Sequence, residues 1–135
     1  MSDAATALGV PDTHVDLLSQ PLVAVLTTIG ADGLPQSTAL WFLLGDGEVK
    51  MSVRTDRQKY RNLLANPKAT LFVLDPQNSA RTLEIRGEVE IRPDPDKAHA
   101  ESFSPVYGSA ASAWDPEGTT RVLLALQPRR VVATG

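Results

Sequence analysis

Between positions 83 and 92 the chain alternates in strict period: Leu83, Ile85, Val89 and Ile91 are apolar, and Glu84, Arg86, Glu88, Glu90 and Arg92 are charged. Period two predicts a strand with one face buried and one wet. Gly87 falls in the apolar register, where a missing side chain signals a bulge, a barrel bend or a close approach to the backbone. Residues 22–29 are instead almost continuously apolar and β-branched, as in a strand covered on both faces. The run Gly30-Ala31-Asp32-Gly33 then reads as a hairpin, a returning strand spans 34–44, and Gly45-Asp46-Gly47 turns into a strand over 48–53. Further strands are predicted over 70–74, 121–126 and 130–133, with Pro128 at a break and 75–79 as a loop.

Helical signals are few and short. Pro11-Asp12 opens a helix to about residue 20, and a second runs from after Thr55 to about Ala65, carrying Tyr60, Leu63 and Leu64 on one stripe and ending at Asn66-Pro67. Asp94-Pro95-Asp96 begins a third, to about Phe103. Residues 1–10 read as a flexible arm, and 104–118, rich in Ser, Ala and Gly, as irregular. Six or seven strands with few helices predict a mainly β fold, a small closed or partly closed barrel forming one domain over 1–135.

Composition narrows the function. The net charge is -3, with 13 Lys and Arg against 16 Asp and Glu, so a general nucleic-acid binder is not expected. Cysteine is absent, and His14 and His99 lie too far apart to suggest a metal site. No apolar stretch approaches membrane-spanning length and the first ten residues carry no leader pattern, which makes a cytoplasmic protein the expectation.

Candidate chemistry concentrates in Arg54-Thr55-Asp56-Arg57-Gln58-Lys59-Tyr60-Arg61-Asn62. Four cations stand where a helix begins, although that end already carries partial positive charge and free N–H groups. With the hydroxyls of Ser52 and Thr55 beside them, they make a pocket for phosphate or carboxylate; the alternative is a solvated helix face. Gln36, Ser37 and Thr38, running into Trp41 and Phe42, suit either a groove whose backbone amides meet a flat heterocycle or ordinary core packing. Phe103, Tyr107 and Trp114 suit a subunit interface or a substrate wall. No catalytic residue is legible: Ser-His-Asp, paired-carboxylate and activated-lysine patterns are missing. An anion site without a nucleophile fits a protein whose cofactor carries the chemistry, and equally a binding module.

The run from Ser52 to Leu63, followed by Asn66-Pro67, resembles the signature of the pyridoxamine-phosphate-oxidase-like split-barrel superfamily, and within it the flavin/deazaflavin oxidoreductases that use coenzyme F420. The resemblance extends over the first hairpin, 35–42, 83–87 and 121–128. It implies a six-stranded antiparallel split β-barrel of the FMN-binding type, a homodimer with the cofactor at the subunit interface, and hydride transfer from reduced deazaflavin to an unsaturated or conjugated acceptor. It further implies that Ser52, Arg57, Gln58, Lys59 and Asn62 hold the phosphate-bearing tail, and that Gln36, Ser37, Thr38, Ala39, Leu40 and Trp41 lie along the ring. Arg81 and Trp114 are then the residues expected to reach the substrate or the partner subunit. FMN is the alternative cofactor, and a non-catalytic flavin or deazaflavin carrier the alternative role.

Overall fold

The apolar runs form seven strands in the computed structural model, which describes residues 8–135: β1 (Ala24–Ile29), β2 (Pro35–Leu40), β3 (Leu43–Gly45), β4 (Glu48–Arg54), β5 (Lys68–Asp75), β6 (Asn78–Pro93) and β7 (Arg121–Thr134). A 3-10 helix, Asp12–Leu18, precedes them, and three short α-helices intervene: α1 (Gln58–Ala65), α2 (Ala98–Glu101) and α3 (Ser104–Tyr107). All pairings are antiparallel in one sheet of order β2-β1-β5-β6-β7-β4-β3. Among the described residues no helix is long and apolar enough to cross a membrane.

The two end strands of that order, β2 and β3, are neighbours in sequence with only Trp41 and Phe42 between them. Two residues span roughly 10 Å including their flanking bonds, so the sheet must curl until its edges nearly meet. This makes a split barrel, joined by chain where it lacks a ladder. It also explains why seven strands stand where six were expected. The segment 34–44, read as one strand, pairs with β1 over its first half and with β4 over its second.

The long alternating strand behaves as its pattern demands. Leu83 and Ile85 are fully buried and Val89 nearly so, packed with Leu26, Met51, Leu71, Val73, Leu124 and Leu126. Each such side chain contributes about 1.5–3 kcal/mol of transfer free energy, which is why the period is so strict. The final strand is continuous rather than broken. Its register against β6 shifts between Arg86 and Gly87, where Gly87 pairs with Pro128 and Arg86 with Arg130, leaving Arg129 as an extra residue. Pro128, having no N–H to give, is tolerated at this bulge.

Other expectations need adjusting. Residues 24–29 are buried on one face and only half-buried on the other. The expected loop 75–79 is a two-residue turn, because Asp75 and Asn78 pair across it and accept bonds from the amides of Gln77 (2.8 Å) and Ala80 (3.2 Å). Leu8 and Val10 are buried in the core, so the arm does not extend to residue 10, and its residues 1–7 lie outside the described ones. Of the expected apolar stripe on α1 only Leu63 is buried; Leu64 points to solvent.

Candidate functional site

Strand β4 delivers Ser52, Val53 and Arg54 to one end of the barrel, and α1 begins four residues later, at Gln58. Its N-cap, Arg57, is extended and makes no side-chain cap, and no acid lies in its first turn. Asp56 is turned away by a two-point bond with Arg54 (3.0 and 2.7 Å), which holds its carboxyl below the usual range. Arg61 is likewise spoken for, donating to Gln58 (2.9 Å) and to the Asp56 carbonyl (3.3 Å). Two of the four cations therefore remain. Neither Arg57 nor Lys59 forms an ion pair among the described residues, and the Lys59 ammonium reaches only the hydroxyl of Thr38, at 3.2 Å. Burial pushes the Lys59 pKa down, and the charges of Arg57 and Arg121 push it the same way.

Both cations line a cavity of about 310 Å³, at the lower end of the roughly 300–1,000 Å³ usual for small-molecule sites. Its polar lining is Ser52, Arg54, Arg57, Lys59 and Arg121, and its apolar lining includes Leu40, Trp41, Phe103, Ala110, Ala111 and Trp114. No carboxylate is among the described residues that line it. Arg121 was missed in the sequence. It opens β7 directly opposite Arg54, a like-charge pair that would be unfavourable unless each had its own acid. Asp115 supplies that acid for Arg121, accepting at 2.7 and 2.9 Å, and Lys97 stands 3.5 Å from it. The remaining Arg121 nitrogen donates to the Ser52 hydroxyl at 3.2 Å, which aims the guanidinium along the cavity wall. Arg121 holds the Asp115 carboxyl below its ordinary value, so this pair stabilises the fold above the carboxylate range and is lost as pH falls through the lowered pKa. The only sequence signal was an acid near the end of the irregular segment, six residues before an Arg.

Residues 10–135 match the family model described as pyridoxamine 5'-phosphate oxidase. The chain belongs to the pyridoxamine 5'-phosphate oxidase family. Among solved structures it is similar to an F420 reductase, with 36% identity and a TM-score of 0.83 over 91% of this chain and 98% of that one. A conserved hypothetical protein of Mycobacterium tuberculosis shares 22% identity at a TM-score of 0.73, covering 93% and 84%. HutZ, the heme storage protein of Vibrio cholerae, shares 14% at 0.71, covering 89% and 91%. The last two share the fold. No curated protein matches the chain.

In this member of the pyridoxamine 5'-phosphate oxidase family, the expected site residues divide into groups. Leu40, Trp41, Ser52, Arg57, Lys59 and Trp114 meet at the cavity, and Thr38 joins them through Lys59. Gln36, Gln58 and Asn62 line a neighbouring recess beside the first hairpin. Asn62 is 3% exposed, and its amide is committed: it accepts from Gln58 (2.8 Å) and donates to Gln36 (3.0 Å) and Thr28 (3.1 Å). Its visible work is to fasten α1 to β1 and β2. Ser37 and Ala39 occupy the exposed face of β2, with Ser37 bonded to Thr27 at 2.8 Å, so they can meet a ligand at the cavity only through backbone groups of this edge strand. Arg81 lies apart. Its guanidinium is bonded to Asp16, to Asp75 (3.1 Å) and to the Thr13 carbonyl, clamping the 3-10 helix against the β5–β6 hairpin.

The lowered pKa of Lys59 has a sign that can be tested. Its charge is disfavoured in the fold, so the apo-protein carries a cost below the folded pKa that disappears only above the unfolded value of 10.5. Lys59→Met is therefore expected to raise the apo-protein's Tm at pH 7 while weakening anion binding. Differential scanning fluorimetry checks the first effect, and a lowered Tm would contradict it.

Proposed function

We propose that this chain is an F420-dependent oxidoreductase that passes hydride from reduced deazaflavin to an unsaturated or conjugated organic acceptor. The observation that carries the reading is a pair of cations, Arg57 and Lys59, that form no ion pair among the described residues and line, together with Trp41 and Trp114, a cavity that no described carboxylate lines. Leaving Lys59 half-buried beside the charge of Arg57 is unfavourable in an empty protein and favourable once an anion arrives. A phosphate-bearing tail fits these cations, and a flat ring fits Leu40, Trp41 and the free edge of β2. The 36% identity to an F420 reductase favours deazaflavin over FMN.

When bound, the reduced deazaflavin supplies the hydride. The chain's own part is to grip the tail with Arg57, Lys59 and the Ser52 hydroxyl, to hold the ring against Trp41, and to exclude water with Phe103, Ala110 and Ala111. No histidine or carboxylate lines the cavity among the described residues, so the donor set there is suited to binding and orientation rather than to proton transfer. The same reading makes the protein a cytoplasmic homodimer in which a second copy completes the site. In support, Trp114 is 80% exposed at the cavity mouth, and β2 is an edge strand.

Turnover separates an enzyme from a carrier. With the protein loaded with reduced F420, an enone, a quinone or a tetrapyrrole is expected to reoxidise the deazaflavin, followed by its absorbance. Bound, reduced F420 that none of these acceptors reoxidises would leave a carrier in place of a reductase.

A further inference from the structure

The chain leaves β2 at Leu40 and enters β3 at Leu43, so Trp41 and Phe42 have no strand partner. One side chain replaces it. The Tyr107 hydroxyl accepts from the Phe42 amide at 3.2 Å and shares its proton between the carbonyls of Leu22 (2.8 Å) and Phe42 (3.0 Å). Three backbone groups at the seam of the barrel thus converge on one phenol, whose half-buried position raises its pKa and keeps the proton in place to donate.

The ring of the same residue lies flat against Trp41, with centroids 4.5 Å apart and planes 11° from parallel. Its other neighbour is Phe103, with centroids 6.0 Å apart. Trp41 and Phe103 are both walls of the cavity, and the chain beyond Tyr107 supplies the next walls, Ala110, Ala111 and Trp114. An indole has two faces. Tyr107 covers one, and Trp41 lines the cavity besides.

We propose that Tyr107 is a positioning residue: it fixes Trp41 as a stacking platform for the flat conjugated ring of the cofactor, and its hydroxyl fixes the Tyr107 ring. This rests on the deazaflavin reading above and adds to it the residue that orients the ring, some 50 positions beyond the cations that hold the tail. A preformed two-ring stack loses little freedom when a third ring joins it, so the platform adds affinity through the ring alone. The tail and the ring are then separable by mutation.

The test uses F420 and the deazaflavin riboside that lacks the phosphate tail, titrated by fluorescence into the full chain, with Tm measured alongside. Tyr107→Leu is expected to weaken both ligands by the same factor, about tenfold, the scale of one lost aromatic stacking contact. Trp41→Leu, which removes the platform itself, is expected to do the same. Tyr107→Phe keeps the ring and loses the hydroxyl, so it is expected to lower the Tm yet recover most of the affinity. Lys59→Ala should weaken F420 only. Riboside affinity unchanged by Tyr107→Leu or by Trp41→Leu, or affinity that simply follows Tm across the Tyr107 variants, overturns the assignment while leaving the cofactor reading intact. Wild-type protein that binds neither deazaflavin overturns both.

Discussion

Replacing Arg57 and Lys59 together with alanine is expected to lower F420 affinity by about three orders of magnitude and to leave the fold intact. Hydrogen bonds to a charged partner contribute about 1.5–3 kcal/mol each, and every 1.4 kcal/mol is a factor of ten in affinity. Among the described residues neither side chain supports the structure: Arg57 forms no ion pair, and Lys59 gives a single bond to Thr38. Because the attraction is between charges, the loss should be larger at low salt, where the Debye length exceeds the roughly 10 Å found at 0.1 M. Arg61→Ala serves as the comparison, since its guanidinium is engaged with Gln58 and the Asp56 carbonyl and does not line the cavity. Its affinity should stay within about twofold of the parent, below the cost of one charged hydrogen bond. A double variant that binds F420 within tenfold of wild type would remove these cations from the tail site.

Gly87→Ala is expected to be the most damaging single methyl in the chain. The added Cβ would stand 2.0 Å from the Gln127 carbonyl oxygen and 2.9 Å from its carbon, both backbone atoms of the paired strand. No rotamer change relieves such a clash, so β6 and β7 must part at the bulge where Gly87 meets Pro128. Overpacking a well-packed site costs about 1–3 kcal/mol even when side chains can adjust, and here the cost should reach about 3 kcal/mol or more of a total stability of roughly 5–15. Gly45→Ala is the control, because its Cβ would meet nothing within 4 Å. Urea unfolding of the two variants checks this. Equal midpoints for Gly87→Ala and wild type would mean that the strands are not held as close as described.

How much of this could be read from residues depends on whether the cause was local. The alternation of 83–92, the helix stop at Asn66-Pro67 and the cation run all declare themselves within a few positions, and each is where the sequence puts it. The break at Trp41 does not, because an almost unbroken apolar run gives no reason to stop. The stop is made by the Tyr107 hydroxyl, 65 residues away in the chain from Phe42. Arg121 was invisible for the same reason: its place beside Ser52 is set by the β4–β7 register and by Asp115. Partners distant in sequence were equally illegible at two residues that the resemblance singled out. The resemblance places Asn62 at the phosphate tail, and the structure bonds its amide to Gln36, Gln58 and Thr28. Arg81, which the resemblance places towards the substrate or the partner subunit, is paired with Asp16 and Asp75. The sequence of a pocket's charged rim is legible when one helix end carries it, and illegible when two paired strands and a distant acid assemble it.

The most direct test of the cofactor assignment is a spectroscopic titration of the purified apo-protein against F420 and FMN in parallel. Saturable binding of F420, tighter than that of FMN and weakened by salt, is the result expected from the Arg57 and Lys59 site. Tighter binding of FMN, or binding of neither, would contradict it.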